Sequence, residues 1–519
     1  MGREQAKEWY IRQSSTPYQT APLPYPLDPR RATLDSGLST LDSQPPTRNN
    51  GRMKDFQRES LCHDPIHGYI PFVSLVEPGE TSERALLDHP WLQRMRQIHQ
   101  LQTAWWVYPA AEHTRFQHVV GAMHMASRAI DTLYPSLAET CPNLPSQAYI
   151  ECLTRLAALL HDVGHGPFGH FFDAHYLHDY GLTHETLGAH IIRHELGDLL
   201  GKVRRCPNRL LAKTERIDPD QIAWLIMRPS SGDTAARPRW LAMLRSLFCG
   251  LYTVDNMDFV MRDAYMSGYS PRVYDLDRLL RYSFFSAQGL TIHERGLGAL
   301  IRFRRARGEL FRAIYFHRTV RAIDKTLAGL FHDSKPYLFP GNPLDHLAAY
   351  QRFTEWSLLV DVARWPASED ARQRELGQRW QRLLARQVDW VAVDERSLVY
   401  GETSSETSSI FSAADLLERA IRSRLPEALR EIKMQVDLPR HIDRPDPSSA
   451  TAGQNYLYLP ATGQTGPLTD DQLYKHLPIS QLICRIYLPR VVPPGHTKAV
   501  AGVLDDLLGS SSRDDPTNM

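Results

Sequence analysis

The stretch Leu159-Leu160-His161-Asp162-Val163-Gly164-His165-Gly166 decides how this chain is read. Before it, Leu153, Leu156, Leu159 and Leu160 recur at helical spacing, and the pattern stops at Gly164. Apolar residues therefore carry a helix to an end that presents an imidazole beside a carboxylate. Gly164 and Gly166 remove side chains where a substrate could approach. A neutral imidazole with a hard carboxylate suits a divalent transition metal, whereas a site for Mg²⁺ alone prefers oxygens. Two donors are too few for a metal. Partners are expected from His118, in Arg115-Phe116-Gln117-His118, and from Asp255, in Val254-Asp255-Asn256-Met257-Asp258. A His-Asp pair by itself more often marks a helix end or a surface pair, so its surroundings must decide.

Those surroundings are rich in histidine. Of 22 histidines, 12 fall between residues 99 and 194, where an even spread would place about four. Such density, interleaved with carboxylates, points to a metal or phosphate site. His99, His124, His175, His178 and His190 are read as solvated or structural.

Composition narrows the class. Sixty basic residues against 59 acidic ones give a net charge of +1, which argues against a global grip on nucleic acid or anionic membrane. The 519 residues suit about three domains, or one large helical domain with appendages. Six cysteines without a CxxC pair exclude a disulfide scaffold and a zinc ribbon, and reduced thiols in the cytoplasm are expected. No signal peptide and no membrane span are read.

Along the chain, residues 1–52 are expected to form a disordered arm, and 509–519 a disordered tail. Residues 53–400 read as a mainly α-helical core, and 401–508 as a small mixed α/β C-terminal region. Helices are expected over Ala299 to Leu327, Leu344 to Arg364 and Arg372 to Leu384. Short strands are expected at Gln454–Leu459 and Gln481–Leu488, with loop over most of 443–470.

Taken together, the ordered motifs resemble the HD-domain superfamily of metal-dependent phosphohydrolases. They are Asp64-Pro65-Ile66-His67-Gly68, Gln93 to Leu101, Arg115 to His118, Leu160 to Phe168, Thr183-His184-Glu185 and Asp255 to Asp263. More narrowly, the chain is similar to deoxynucleoside triphosphate triphosphohydrolases of the SAM-and-HD-domain type, from about Asp64 to Arg396. The resemblance implies one divalent metal ion (Fe, Mn, Zn or Mg) on His118, His161, Asp162 and Asp255. It implies His184 as general acid, oriented by Asp173, with His165, His170 and Arg115 on the attacked phosphate. Gln100, Leu101 and Asp263 would hold the sugar, crowding a ribose 2′-hydroxyl. Tyr315 would stack on the sugar, and Arg307 and Arg318 would hold the outer phosphates. It also implies a homo-oligomer (dimer, tetramer or hexamer) and an activating nucleotide recognised by Asp88, Gln93 and Arg96. The nucleus is a second expected location should the source be eukaryotic.

The residues suit that chemistry on their own terms. A triphosphate carries about four negative charges, so attack by water needs neutralisation. Arginine gives bidentate contacts to phosphate oxygens. On one continuous helix Arg307, Phe311, Tyr315 and Arg318 would share a face. Its rival reading is a solvated charged face. There are departures from the family. No SAM module fits the N-terminal arm. Asn256 stands in place of a phosphate-binding lysine, Phe259 in place of a tyrosine, Phe311 in place of a histidine, and Ser60 in place of a lysine of the activator site. The expected reaction is dNTP plus water to deoxynucleoside and inorganic triphosphate, controlling dNTP pools, with an antiviral or anti-phage role open. Two alternatives stay open: an HD phosphodiesterase or nuclease acting on nucleic-acid ends or signalling nucleotides, and a non-catalytic nucleotide sensor.

Overall fold

A computed structural model describes residues 58–228, 237–400, 411, 413–443, 455–475 and 477–509. The expected arm at 1–52, and the expected tail apart from Gly509, lie outside them.

An antiparallel hairpin, β1 (Glu59–Asp64) and β2 (Gly68–Val73), precedes the helical core. Helix α1 (Arg115–Thr140) starts where the Gln117 side chain accepts from the Thr114 N–H at 2.8 Å. It buries Val119, Ala122, Met123, Ala126, Ile130 and Leu133 along one face. Helix α2 (Gln147–Leu160), capped by Ser146, is buried almost all round, as a central helix must be. Two shorter helices follow, α3 (His170–His175) and α4 (His184–His194). Helix α5 (Val254–Met266) then packs on α1 where Gly121 leaves room. A Cβ at Gly121 would lie 2.0 Å from Asp258 Oδ1.

Strands β3 (Ser283–Phe285) and β4 (Leu290–His293) lead into α6 (Glu294–Leu310) and α7 (Arg318–Leu338). The expected single helix over 299–327 is interrupted. Phe311–Tyr315 form a π-helical turn, Phe316 leaves helical geometry, and His317 caps α7 by accepting from Thr319 N–H. The expected helix over 344–364 also divides, because Thr354 caps a new helix, α8 (Glu355–Arg364). Helix α9 (Ala371–Leu384) forms where expected.

The C-terminal part is mixed. Strands β5 (Trp390–Tyr400), β6 (Gln435–Asp437) and β7 (Arg440–Ile442) each pair antiparallel with the central β10 (Ser480–Pro489). Cys484, Ile486 and Leu488 of β10 share a second apolar cluster with Leu417, Ile421, Val500 and Leu504. Strand β8 (Asn455–Leu459) joins β4 in parallel, and β9 (Gln464–Pro467) pairs with β8. A strand at 464–467 corrects the expectation of loop there. Gly463, at φ +68°, lets the chain reverse onto β8. Among the described residues no helix is long and apolar enough to cross a membrane.

Candidate active site

Three helix ends meet at one point. His161 caps the C-terminal end of α2, His118 lies in the first turn of α1, and Asp255 lies in the first turn of α5. His118 Nε2 is 3.0 Å from Asp255 Oδ1 and 3.3 Å from His161 Nε2. His161 Nε2 is 3.3 Å from Asp162 Oδ1. The tautomers follow from the other ring nitrogens. His118 Nδ1–H donates to Asp258 Oδ2 at 2.8 Å, and His161 Nδ1–H donates to the Ala158 carbonyl at 2.8 Å. Both Nε2 atoms therefore point to one spot beside Asp255, an arrangement that suits a shared cation. Two imidazoles and two carboxylates fit a divalent transition metal. Burial alone would lower the pKa of His118, but Asp255 and Asp258 outweigh it and hold it up at about 10. The same negative potential attracts a metal ion.

Asp162 stands slightly aside. Its Oδ2 accepts from Arg115 Nη1 at 2.6 Å, while Oδ1 lies 3.4 Å from His165 Nε2. Burial alone would raise the pKa of Asp162, but His161, then Arg115 and His165, hold its carboxyl well below the usual range.

A second group adjoins this one. Asp173 Oδ2 accepts from His184 Nδ1 at 2.5 Å, His170 Nδ1 is 3.4 Å away, and the His165 ring stacks on that of His184 at 3.8 Å. Burial, then the neighbouring His165, holds the His184 pKa below that of an ordinary histidine, and Asp173 opposes them. His165 is fully buried, whereas the His170 side chain is 67% exposed.

A cavity of about 500 Å³ opens over both groups. Gln100, Leu101, Arg115, Asp263, Arg307 and Tyr315 all line it. Tyr315 Oη donates to Asp263 Oδ2 at 2.5 Å, and His113 Nε2 bonds Asp263 Oδ1 at 2.8 Å. The buried atoms Gln100 Oε1, Arg115 Nε and Arg307 Nε have no hydrogen-bond partner among the described residues. Arg307 instead lies over the rings of Phe311 and Phe259, at 4.9 and 6.0 Å. Burial, with Arg304 adding to it, lowers its pKa to about 10.

Not every expected residue arrives. Arg318 is exposed and does not line the cavity. The turn before it breaks the helical register, and Arg321, one turn on, lines the cavity instead. In the basic stretch 301–307, Arg304 is spent on the carbonyls of Ile442 and Asp443. Gly164 and Gly166 are not openings for substrate. A Cβ at Gly164 would meet the His184 carbonyl at 2.1 Å, and one at Gly166 the Phe172 ring at 2.5 Å. Asn256, Phe259 and Phe311 line the cavity as found.

The expected activator residues cluster at the surface. Arg96 donates to Gln93 Oε1 at 2.9 Å and covers the Phe116 ring at 3.7 Å, and Asp88 pairs with Arg84. Sequence reasoning gave no role to Asp258. It is fully buried, accepts from His118, His67 and Arg262, and lies three residues beyond Asp255 in an already notable motif.

Comparison with known proteins points to the same fold. Residues 115–226 match the family described as HD domain, a helical metal-dependent phosphohydrolase fold. The uncharacterized protein YwfO of Bacillus subtilis is 27% identical over 382 residues, covering 71% of this chain and 78% of that protein. Deoxynucleoside triphosphate triphosphohydrolase SAMHD1 of Bos taurus is 28% identical over 290 residues, covering 52% of this chain and 47% of that protein. The chain thus spans about half the length of that relative. A solved structure, a hypothetical protein from Aquifex aeolicus, shares the fold with a TM-score of 0.60 and 21% identity, covering 86% of this chain and all of that one.

Proposed function

We propose that this chain, which carries an HD domain and is similar to deoxynucleoside triphosphate triphosphohydrolases, hydrolyses dNTP to deoxynucleoside and inorganic triphosphate. The observation that carries the reading is Arg307. A guanidinium in a cavity wall, with aromatic faces against it and no carboxylate in ion-pair contact among the described residues, calls for an anionic ligand. It shares that cavity with His161, Asp162 and Asp255, and His118 is buried beside them, 3.0 Å from Asp255 Oδ1.

When bound, a divalent metal (Fe, Mn, Zn or Mg) supplies Lewis acidity toward phosphoryl oxygens and an acidified water. The chain's own residues do the rest. Arg115 turns from Asp162 to share the attacked α-phosphate with His165 and His170. Arg307 holds the outer phosphates. His184 donates a proton to the 5′-oxygen as the P–O5′ bond breaks. Asp173 keeps Nδ1 of His184 occupied, so the proton leaves from Nε2. Asp263, Gln100 and Tyr315 meet the sugar, and Leu101 crowds its 2′ side. Turnover of this kind lowers a dNTP pool.

The test is product analysis by chromatography. Each dNTP, singly and mixed, is incubated with the protein and Mg²⁺ or Mn²⁺, beside a His161→Ala/Asp162→Ala control. Deoxynucleoside plus intact triphosphate, lost in the control, is expected, and activity only in mixtures adds nucleotide activation. Diphosphate or monophosphate products would mean that another bond is cut. No turnover of any mixture would leave a phosphodiester substrate or a sensor.

A further inference from the structure

We infer that Glu355, remote from the donor set in sequence, is a positioning residue that ties the sugar wall of the cavity to the loop carrying His165 and His170. The inference rests on the reaction proposed above for its kinetic part. Glu355 is fully buried. One oxygen accepts from His99 Nδ1 at 2.7 Å and Trp105 Nε1 at 3.1 Å. The other accepts from the His99 backbone N–H at 3.3 Å and the Phe168 backbone N–H at 3.4 Å. A single carboxylate thus holds two stretches of chain. The first, 99–105, carries Gln100, Leu101, Gln102 and Ala104 into the cavity. The second, at Phe168, leads through Gly169 into α3 and so sets His170 and Asp173.

That second stretch needs holding. Phe168 has φ +61°, a conformation strained for a non-glycine residue, and Gly169 follows at φ +56°. A Cβ at Gly169 would lie 2.2 Å from Arg115 Nη2, so this turn packs against the phosphate-facing guanidinium. Glu355 is not alone in bracing it. Tyr350 Oη donates to the Gly164 carbonyl at 2.8 Å. Arg94 donates to the carbonyls of His165, at 2.6 Å, and Phe353, at 2.8 Å. Residues 350–355 therefore grip the loop 164–168 at two points directly and at a third through Arg94, and of these residues Glu355 also grips the sugar wall.

The carboxylate is well placed for this. It is the first residue of α8, where unpaired N–H groups favour negative charge. His99 is its nearest side-chain donor. Its ring stacks on Trp105 at 4.4 Å, and its Nε2 lies 3.1 Å from Glu112. Burial alone would lower the pKa of His99, but Glu355 and Glu112 raise it. An amide at 355 keeps the shape but offers one accepting oxygen to four donors.

The experiment compares Glu355→Gln with Leu358→Ala in the full-length, metal-loaded protein. Leu358 is buried on the same helix and touches neither stretch through a hydrogen bond. Steady-state kinetics, metal content, melting temperature and hydrogen exchange of residues 98–106 and 164–172 are read. The expected result for Glu355→Gln is at least tenfold loss of kcat/KM, mostly in kcat, with metal content kept and both stretches exchanging faster. Leu358→Ala should melt earlier yet keep kcat within about twofold and leave those stretches protected. Kinetics of Glu355→Gln within twofold of the parent, or unchanged exchange in either stretch, would overturn the inference. So would equal losses in both variants. Should the parent turn over no dNTP, the reaction reading fails by itself, and the exchange measurement alone decides the bracing role.

Discussion

Asp258 accepts the Nδ1 hydrogen of His118 at 2.8 Å, and so fixes which nitrogen of that ring faces the metal position. Its second oxygen accepts from His67 Nε2 at 2.7 Å, and Arg262 donates to both oxygens, at 2.8 and 2.9 Å. Partners of this kind orient a ligand ring and raise its basicity. Asp258→Asn is therefore expected to weaken metal binding by about 10- to 100-fold with the fold retained. Metal titration followed by calorimetry checks it. Asp258→Ala should do worse, costing up to about 3–5 kcal/mol of stability, because it leaves the buried Arg262 with Asp64 as its remaining counter-charge and removes the acceptor of His118 and His67.

Arg307 and Arg318 should part company. Arg307 faces the cavity with no carboxylate in ion-pair contact among the described residues, so Arg307→Ala is expected to lose about 1.5–3 kcal/mol of phosphate binding, or about 10- to 150-fold in kcat/KM. Metal content should not change. Arg318 is exposed outside the cavity, so Arg318→Ala should stay within about 0.5 kcal/mol, roughly twofold. Equal losses in the two variants would mean that the kinked segment closes toward substrate.

These two arginines also show what a sequence can carry. Both lie in one apolar-periodic run, and helical spacing put them on one face. The π-helical turn at Phe311–Tyr315 shifts that face, and nothing in the local pattern announces such a turn. That His118, His161 and Asp255 come together was legible because each candidate donor sits in a compact motif at a helix end, where neighbouring residues carry the same message. Glu355 was not. Its partners are His99, Trp105 and Phe168, far away in the chain, and a glutamate after a threonine reads only as a helix start. The glycines misled for the same reason. Gly164 suggests access for substrate, but the space it leaves is filled by the backbone of α4. Strand 464–467 was hidden because its partner edge comes from β8, itself held by β4 165 residues earlier.

The pH dependence should distinguish free and occupied states. Burial and His165 hold His184 below an ordinary histidine pKa in the free protein. A general acid must be protonated, so kcat/KM should fall as pH rises through that lowered value. A bound triphosphate brings negative charge beside the ring and favours its protonated form. The alkaline limb of kcat is therefore expected at higher pH than that of kcat/KM, and full pH profiles of both check it. A kcat limb at or below that of kcat/KM would remove His184 from the acid role.

Gly164 gives the sharpest steric test. A Cβ there would lie 2.1 Å from the His184 carbonyl oxygen, 2.6 Å from the Gly188 nitrogen and 3.0 Å from the His184 carbonyl carbon. All three are backbone atoms, so no side chain can swing aside. Gly164→Ala must push α4 away from the loop or break the loop itself. Overpacking of this kind costs about 1–3 kcal/mol. The displaced element carries His184, whose 2.5 Å bond to Asp173 sets its orientation. The loss should therefore appear first in turnover. Metal affinity should hold, because His118, His161 and Asp255 come from other helix ends. Gly188→Ala is the control: its Cβ would sit 3.5 Å from the nearest atom, ordinary contact, on the same helix. It should keep both activity and melting temperature, and a loss in Gly188→Ala equal to that in Gly164→Ala would show that α4 tolerates no change on this face, not that its separation from the loop sets the position of His184.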